Sequence, residues 1–412
     1  MLNILILTFQ YLLWGIFIYY FAISVFGWFK RKEIPADRFP VVNRFAVIVA
    51  AHNEEIVIGS IVRNLKELNY PKDMYDIFVI ADNCSDNTAE VARKNGAMVY
   101  ERFDTVKKGK GHSLEWMFKK LFALDKQYDA VCIFDADNLA SPNYLLEMNK
   151  QLQLGHKVIQ GYLDSKNPMD SWVSGNYSIS YWTSNRLFQL PRHYLGLSCA
   201  LGGTGFVMST DVLKDIGWGA TCLTEDLEFS LKLVLKGMKV SWSHEAVIYD
   251  EKPLKMGQSW RQRKRWMQGH CDCARRYLKS MLTRAVTKRD KVALDAAMYL
   301  IQPFVIVANG IGLVSTIVSL ILDPSQIEFN AKTVLFMLLV LVFTYYSIIF
   351  VCVEGKMSKK ILGYFITFPL YSLTWIPIII HGFIDRNKRE WVHTLHTRAL
   401  DLGDVEALEK VS

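Results

Sequence analysis

Phe45-Ala46-Val47-Ile48-Val49-Ala50-Ala51-His52-Asn53-Glu54-Glu55 opens the stretch that decides the fold. A run of small and β-branched apolar residues stops abruptly at polar ones, which is how a buried strand reads when it enters a turn and then a helix. The pattern recurs. Ile77–Ala81 runs into Asp82-Asn83-Cys84-Ser85-Asp86-Asn87, and Val131–Asp135 closes on Asp135-Ala136-Asp137-Asn138. Met98–Glu101 adds a short strand, and helical stretches near Glu54–Leu68, Asn87–Asn95 and His112–Leu124 fill the gaps. Strands alternating with helices predict an α/β domain whose mostly parallel sheet carries helices on both faces. Ligands of such a sheet bind at the carboxyl ends of the strands. All three polar clusters fall at that edge, although each alone reads as an ordinary strand-to-helix turn.

Working outward, Leu2 to Phe29 carries no charged side chain. A helix of that length, rising about 1.5 Å per residue, crosses a hydrocarbon core with some tilt. Lys30, Arg31 and Lys32 follow the apolar run and do not precede it. That order argues against a cleaved signal and places Lys30 onward in the cytoplasm. The chain is therefore expected to divide into a span over 1–29 and a soluble domain over 30–289, with a basic amphipathic helix at 255–285. Two spans follow within 290–353, from the apolar blocks Val292–Leu322 and Thr333–Val353. Ile361–Ile384 is long enough to cross, yet basic residues flank it on both sides and Pro369 and Pro377 interrupt it. Prolines leave carbonyls unpaired in lipid, so this block reads as interfacial or re-entrant; the alternative is an ordinary fourth span. The location implied is a multi-pass protein of the cell membrane.

The net charge of +8 suits anionic headgroups or an anionic substrate. The basic residues form no DNA-reading unit, so nucleic acid is not an expected partner. Seven scattered cysteines show no disulfide framework, which fits a reducing compartment. Cys271 and Cys273 stand too close together for a zinc knuckle.

Several groups can carry chemistry. Asp135 and Asp137 form a D-x-D at a strand end, where carboxylates can meet Mg2+ or Mn2+ and leave the remaining ligands to phosphate and water. The plain reading is a turn with an Asp cap. Thr224-Glu225-Asp226 opens an amphipathic helix, with Thr224 able to cap it and acids suiting its dipole. A carboxylate in a cleft can also take a proton from an attacking hydroxyl, and by spacing Glu225 and Asp226 are equal candidates. Gln258 to Gly269 contains Gln262, Arg265 and Trp266 on a helix suited to anionic headgroups. Arginine can also fork onto phosphate, and tryptophan can stack on a sugar. Lys107-Lys108-Gly109-Lys110-Gly111 precedes a helix and can face an anion with backbone N–H groups, without the spacing of a Walker A loop. Gly202-Gly203-Thr204-Gly205 precedes the strand Phe206–Ser209 and lets a ligand approach the backbone closely.

In their order along Phe45 to Trp266, these pieces resemble glycosyltransferase family 2, in the membrane-embedded branch of cellulose, chitin and hyaluronan synthases. The motifs are Ala51-His52-Asn53-Glu54, Asp82, Asp135-Ala136-Asp137, Thr224-Glu225-Asp226, and Gln262-Arg263-Lys264-Arg265-Trp266 as Q-x-x-R-W. The resemblance implies a GT-A-like, Rossmann-like catalytic domain on the cytoplasmic face, joined to α-helical transmembrane segments. It also implies a UDP-linked sugar donor and inversion at the anomeric carbon. Asn53, Glu54, Asp82, Lys110, Asp135, Gln262 and Arg265 would bind the donor. Asp137, with Asp135, would hold the metal. Asp226 would be the general base, with Glu225 beside it. Trp266, Gly203 and Thr204 would meet the acceptor. Trp391-Val392-His393-Thr394-Leu395-His396 resembles the gating segment of these synthases, with Trp391, His393 and Thr394 as its candidate residues. Two departures stand out: Ala81-Asp82-Asn83 replaces the adjacent aspartates common in the family, and spans are few beside cellulose synthase. The product implied is a processively built β-glycan; the alternative is one sugar on a membrane lipid. A decayed, non-catalytic scaffold is opposed by intact Asp137, Asp226 and Arg265. Partners would be a glycan or lipid-linked acceptor, membrane lipids, and a further copy or an export subunit.

Overall fold

The computed structural model describes residues 2–219, 221–322, 338, 345–388 and 398–405. Eight strands form one sheet: β1 Phe45–Ala51, β2 Tyr75–Asp82, β3 Met98–Arg102, β4 Ala130–Asp135, β5 Leu139–Ala140, β6 Val158–Ser165, β7 Phe206–Ser209 and β8 Ser241–Asp250. Their order is β3-β2-β1-β4-β7-β6-β8-β5. β1 lies between β2 and β4, parallel to both, with Phe45 in register with Tyr75 on one side and Ala130 on the other. Its residues alternate between two cores. Ala46 and Ile48 join Phe78, Leu114 and Met117, while Phe45, Val47 and Val49 join Ile58, Ile61 and Leu145. Burial on both faces explains why the strand reads as an unbroken apolar run.

The sheet is mixed: four of its seven pairings are parallel, as expected, and three are antiparallel. β7 runs antiparallel to both β4 and β6, and β5 antiparallel to β8. The reason is local. Gly205 donates its N–H to Ile133 O at 2.8 Å, so the chain enters β7 from the carboxyl end of β4 and has to run back.

Helix Met256–Thr287 packs against helix Glu225–Leu235, and helix Lys291–Leu322 follows it. Block 361–384 is three short helices, Lys359–Tyr364, Phe368–Leu373 and Trp375–Ile384. Ile361, Phe365 and Phe368 enter the core shared with the sheet. Pro369 sits in the first turn of its helix, where a missing N–H costs little. Among the described residues one helix, Lys291–Gly312, is long and apolar enough to cross a membrane; Tyr11–Val25 and Phe368–Ile384 are shorter apolar helices. Most of the expected span Thr333–Val353 lies outside the described residues, as do Trp391, His393 and Thr394.

Candidate active site

The turn after β4 is fixed by two buried side chains. The N–H of Asp135 is shared between Asn138 Oδ1 at 3.1 Å and Thr204 Oγ1 at 3.0 Å, and the Thr204 hydroxyl donates to Asn138 Oδ1. Thr204 therefore braces the turn from the glycine loop. Asp137 is buried, and its Oδ2 accepts the N–H of Glu251 at 3.0 Å. Asp135 stays more open, with its side chain 39% exposed, and pairs with Lys110 at the start of helix Lys110–Phe122. The same ammonium donates to Gly203 O at 2.7 Å. Gly203 has φ +80°, a backbone state that favours glycine, and a Cβ there would stand 3.4 Å from Asp226 Oδ2. Lys110, Asp135, Gly203 and Asp226 thus converge from four separate stretches of chain.

Glu225 and Asp226 begin helix Glu225–Leu235. Thr224 occupies the cap position, but its side chain makes no cap bond and lies 3.5 Å from Cys222 Sγ. Asp226 Oδ1 accepts the N–H of Leu227 at 2.8 Å. Burial pushes the Asp226 carboxyl up, against the Leu227 N–H and the charge of Lys110. Burial, and then the neighbouring Asp226, push Glu225 to about 7. Two adjacent buried acids resist ionising together.

At the other end, Asp82 pairs with the buried guanidinium of Arg102 at 2.5 Å. Burial raises the Asp82 carboxyl and Arg102 opposes it. Arg102 also reaches Lys107 O at 2.6 Å, which ties the lysine–glycine loop to this wall. Asn53, at φ 55°, accepts the N–H of Ser85, and the N–H of Glu54 goes to Thr88 Oγ1 at 2.8 Å. Sequence reasoning missed Arg102, since nothing marks a basic residue at a strand end as the partner of an acid twenty positions earlier.

Over the cleft, Gln262 accepts the Tyr177 hydroxyl, and Trp266 meets the Tyr177 ring edge-on at 6.1 Å beside Val173 and Tyr371. Arg265 makes no hydrogen bond or ion pair among the described residues, yet its charge acts on Glu225. Arg263, in the same motif, turns away. It is buried, its guanidinium lies 4.5 Å from the Tyr371 ring and 5.0 Å from Trp375, and it donates to Thr374 Oγ1 at 3.0 Å. Lys264 pairs with Asp385 at 2.9 Å. A Cβ on Gly382 would stand 2.6 Å from Met267 Cβ and 3.1 Å from Lys264 O, so the two helices touch there backbone to backbone. Block 359–384 is in this way fastened onto the Gln262–Trp266 helix as a roof.

Asp250, at the end of β8, is a further acid missed from sequence, though it sits at a strand end like the others. Burial pushes its carboxyl to about 6, with Lys252 opposing and Asp137 and Asp135 adding to the rise. Among the described residues no three acids, histidines or cysteines close around a metal position. The donor set is nonetheless all carboxylate oxygen, crowded enough for the charges to raise one another. That fits a hard divalent cation completed by phosphate oxygens.

A family model described as glycosyltransferase like family 2 matches residues 43–269, more than half the chain. The chain belongs to glycosyltransferase family 2. As a family 2 glycosyltransferase it draws on a nucleotide-diphosphate sugar. It is 24% identical over 411 residues to a probable glycosyltransferase, YdaM, of Bacillus subtilis, covering 94% of this chain and 92% of that one. It is 28% identical to a beta-monoglucosyldiacylglycerol synthase of Trichormus variabilis, over 54% of this chain and 48% of that protein. It is 26% identical to the poly-beta-1,6-N-acetyl-D-glucosamine synthase of Staphylococcus epidermidis, over 61% of this chain and 60% of that protein. The fold is GT-A-like. The mannosyltransferase PcManGT from Pyrobaculum calidifontis, solved with GDP-Man and Mn2+, superposes with a TM-score of 0.60 at 16% identity, covering 95% of this chain and 100% of that one.

Proposed function

We propose that this transferase is held at the cytoplasmic face of the cell membrane and adds sugars from a UDP-linked donor, with inversion, to a growing glycan. The observation that carries the reading is the convergence of Asp226 with Gly203, Lys110 and Asp135. Asp226 takes the proton of the acceptor hydroxyl, with Glu225 beside it. The attack comes from the face opposite the leaving diphosphate, so no covalent nucleophile is needed. Asp137 and Asp135 would hold Mg2+ or Mn2+, whose chemistry there would be to neutralise charge on the diphosphate. Gln262 and Arg265 grip the phosphates from above. Asp82, braced by Arg102, lines the nucleoside end with Asn53 and Glu54. Trp266 carries the acceptor sugar over Gly203, and Thr204 keeps the floor in place. The roof exposes Ile366, Leu370, Leu373 and Ile384, an apolar face suited to lying in the membrane interface.

The test is to incubate the purified protein with UDP-sugars and size the products. A ladder or a high-mass glycan is expected, and Trp266→Ala should cut elongation much more than donor hydrolysis. A single sugar on lipid at excess donor would establish the second reading, which the likeness to the diacylglycerol-linked synthase favours. Labelling of intact cells should reach an N-terminal tag and not Ser165 or Trp391; labelling at Trp391 would show that block 361–384 spans.

A further inference from the structure

Behind the two acids, away from donor and acceptor, two thiols meet. Cys222 Sγ lies 3.5 Å from Cys273 Sγ. Cys222 is partly exposed on the loop that leads into Glu225, and Cys273 is buried on helix Met256–Thr287. That loop is tied down on either side of the sulfur. Thr221 bonds the Glu228 carboxylate through both its hydroxyl, at 2.7 Å, and its N–H, at 3.1 Å, and Arg276 of the helix meets the same carboxylate at 3.0 Å. On the other flank, the Thr224 N–H is 3.3 Å from Cys222 Sγ. Glu225 and Asp226 follow directly. The same helix bears Gln262 and Arg265, so the two sulfurs join the element holding the acids to the element holding the phosphate-directed side chains.

We propose that Cys222 and Cys273 are an oxidation site, converted by a peroxide to a disulfide that shuts down the transferase. The Cys222 thiolate attacks the peroxide, the O–O bond breaks, and a sulfenic acid forms as hydroxide or alkoxide leaves. Cys273 sulfur then attacks Cys222 sulfur, the S–O bond breaks, and the proton from Cys273 leaves with the hydroxide as water. Two thiols and one peroxide give one disulfide, one water, and one water or alcohol. An S–S bond is about 2.05 Å, so closure draws the sulfurs together by about 1.5 Å and drags Thr224 with them. A shift of that size at the base costs about 10² in rate. Cys352, which is exposed, offers no sulfur partner among the described residues and serves as the internal dosimeter.

The experiment treats the purified full chain with hydrogen peroxide, maps thiols by peptide mass spectrometry and measures sugar transfer before and after a thiol reductant. Expected are a Cys222–Cys273 cross-linked peptide, a fall in transfer of about 10²-fold, and recovery on reduction. Cys222→Ser and Cys273→Ala should transfer as the parent does and resist peroxide; two variants guard against one that misfolds. No cross-link at a dose that oxidises Cys352 fully would overturn the site. A cross-link without loss of transfer, or equal loss in both variants, would overturn its effect. The activity arm rests on the family 2 reading, whereas the cross-link is seen whatever the substrate, so the two failures are distinct.

Discussion

At the sheet edge Lys110 is held by a carboxylate and a carbonyl; against the roof Arg263 is held by two aromatic rings and a hydroxyl. Lys110 is partly exposed, so an arriving phosphate can replace its oxygen partners and a cation can take its place on Asp135. Arg263 is sealed in, with no carboxylate beside it among the described residues, and burial lowers its pKa. A charge that must trade partners during a reaction is best left at a wet boundary, where exchange is cheap. A charge that only holds a shape can be buried, since the ring faces attract it and no leaving partner strands it. The two cations stand for two jobs: the edge can exchange charge, and the roof contact holds a shape.

That contrast can be broken at its edge first. Asp137→Ala should abolish measurable transfer at any metal concentration, and excess chelator should do the same to the parent; full transfer in chelator would remove the ion from the edge. Asp226→Asn keeps the shape and loses the base, so transfer should fall by about 10²–10⁴ while nucleotide affinity holds. Because burial raises the Asp226 carboxyl above its ordinary 3.8, protonation silences the base sooner as pH falls. The acid limb of kcat/KM should therefore stand above that value, and a limb at or below it would assign the proton elsewhere. In the roof, Arg263→Ala should lower elongation about tenfold and spare donor hydrolysis, as befits a desolvated cation–π contact. Arg263→Lys should rescue little, because an ammonium cannot lie flat between two rings. Equal loss of both activities would merge roof and edge into one unit. The smallest effect is expected from Tyr177→Phe, which deletes one hydrogen bond to Gln262 worth about 0.5–1.5 kcal/mol. Donor KM should rise a few-fold, roughly as that energy converts, with kcat unchanged.

The edge was legible because its signals are local. β1, β2 and β4 announce themselves as apolar runs that stop at acids, and the helix from Glu225 starts where an acidic turn meets an amphipathic stretch. β6 was hidden, although all eight of its residues are buried, because Gln160, Asp164 and Ser165 make it read as polar. Those groups are satisfied only in three dimensions: Gln160 by Gly202 N–H, Thr204 O and Gly205 O, and Asp164 by Trp182 and Lys356. β8 carries His244 and Glu245 in mid-strand and slips register opposite Gly161 and Tyr162, so its period is broken as well. The roof was out of reach for a plainer reason. Arg263 and Arg265 are indistinguishable in a basic helix until Tyr371, more than a hundred residues away, picks one of them.

Gly382 is the keyhole by which the roof fits its helix. Because the two backbones touch there, even one methyl group has nowhere to go, and it would meet Lys264 O at 3.1 Å and Met267 Cβ at 2.6 Å. Alanine at this position would act as a doorstop, wedging the roof off its helix while leaving Asp137, Asp226 and Arg265 chemically intact. An engineer wanting to shift the roof against the Gln262–Trp266 helix would start at this residue and leave the acids of the sheet edge alone.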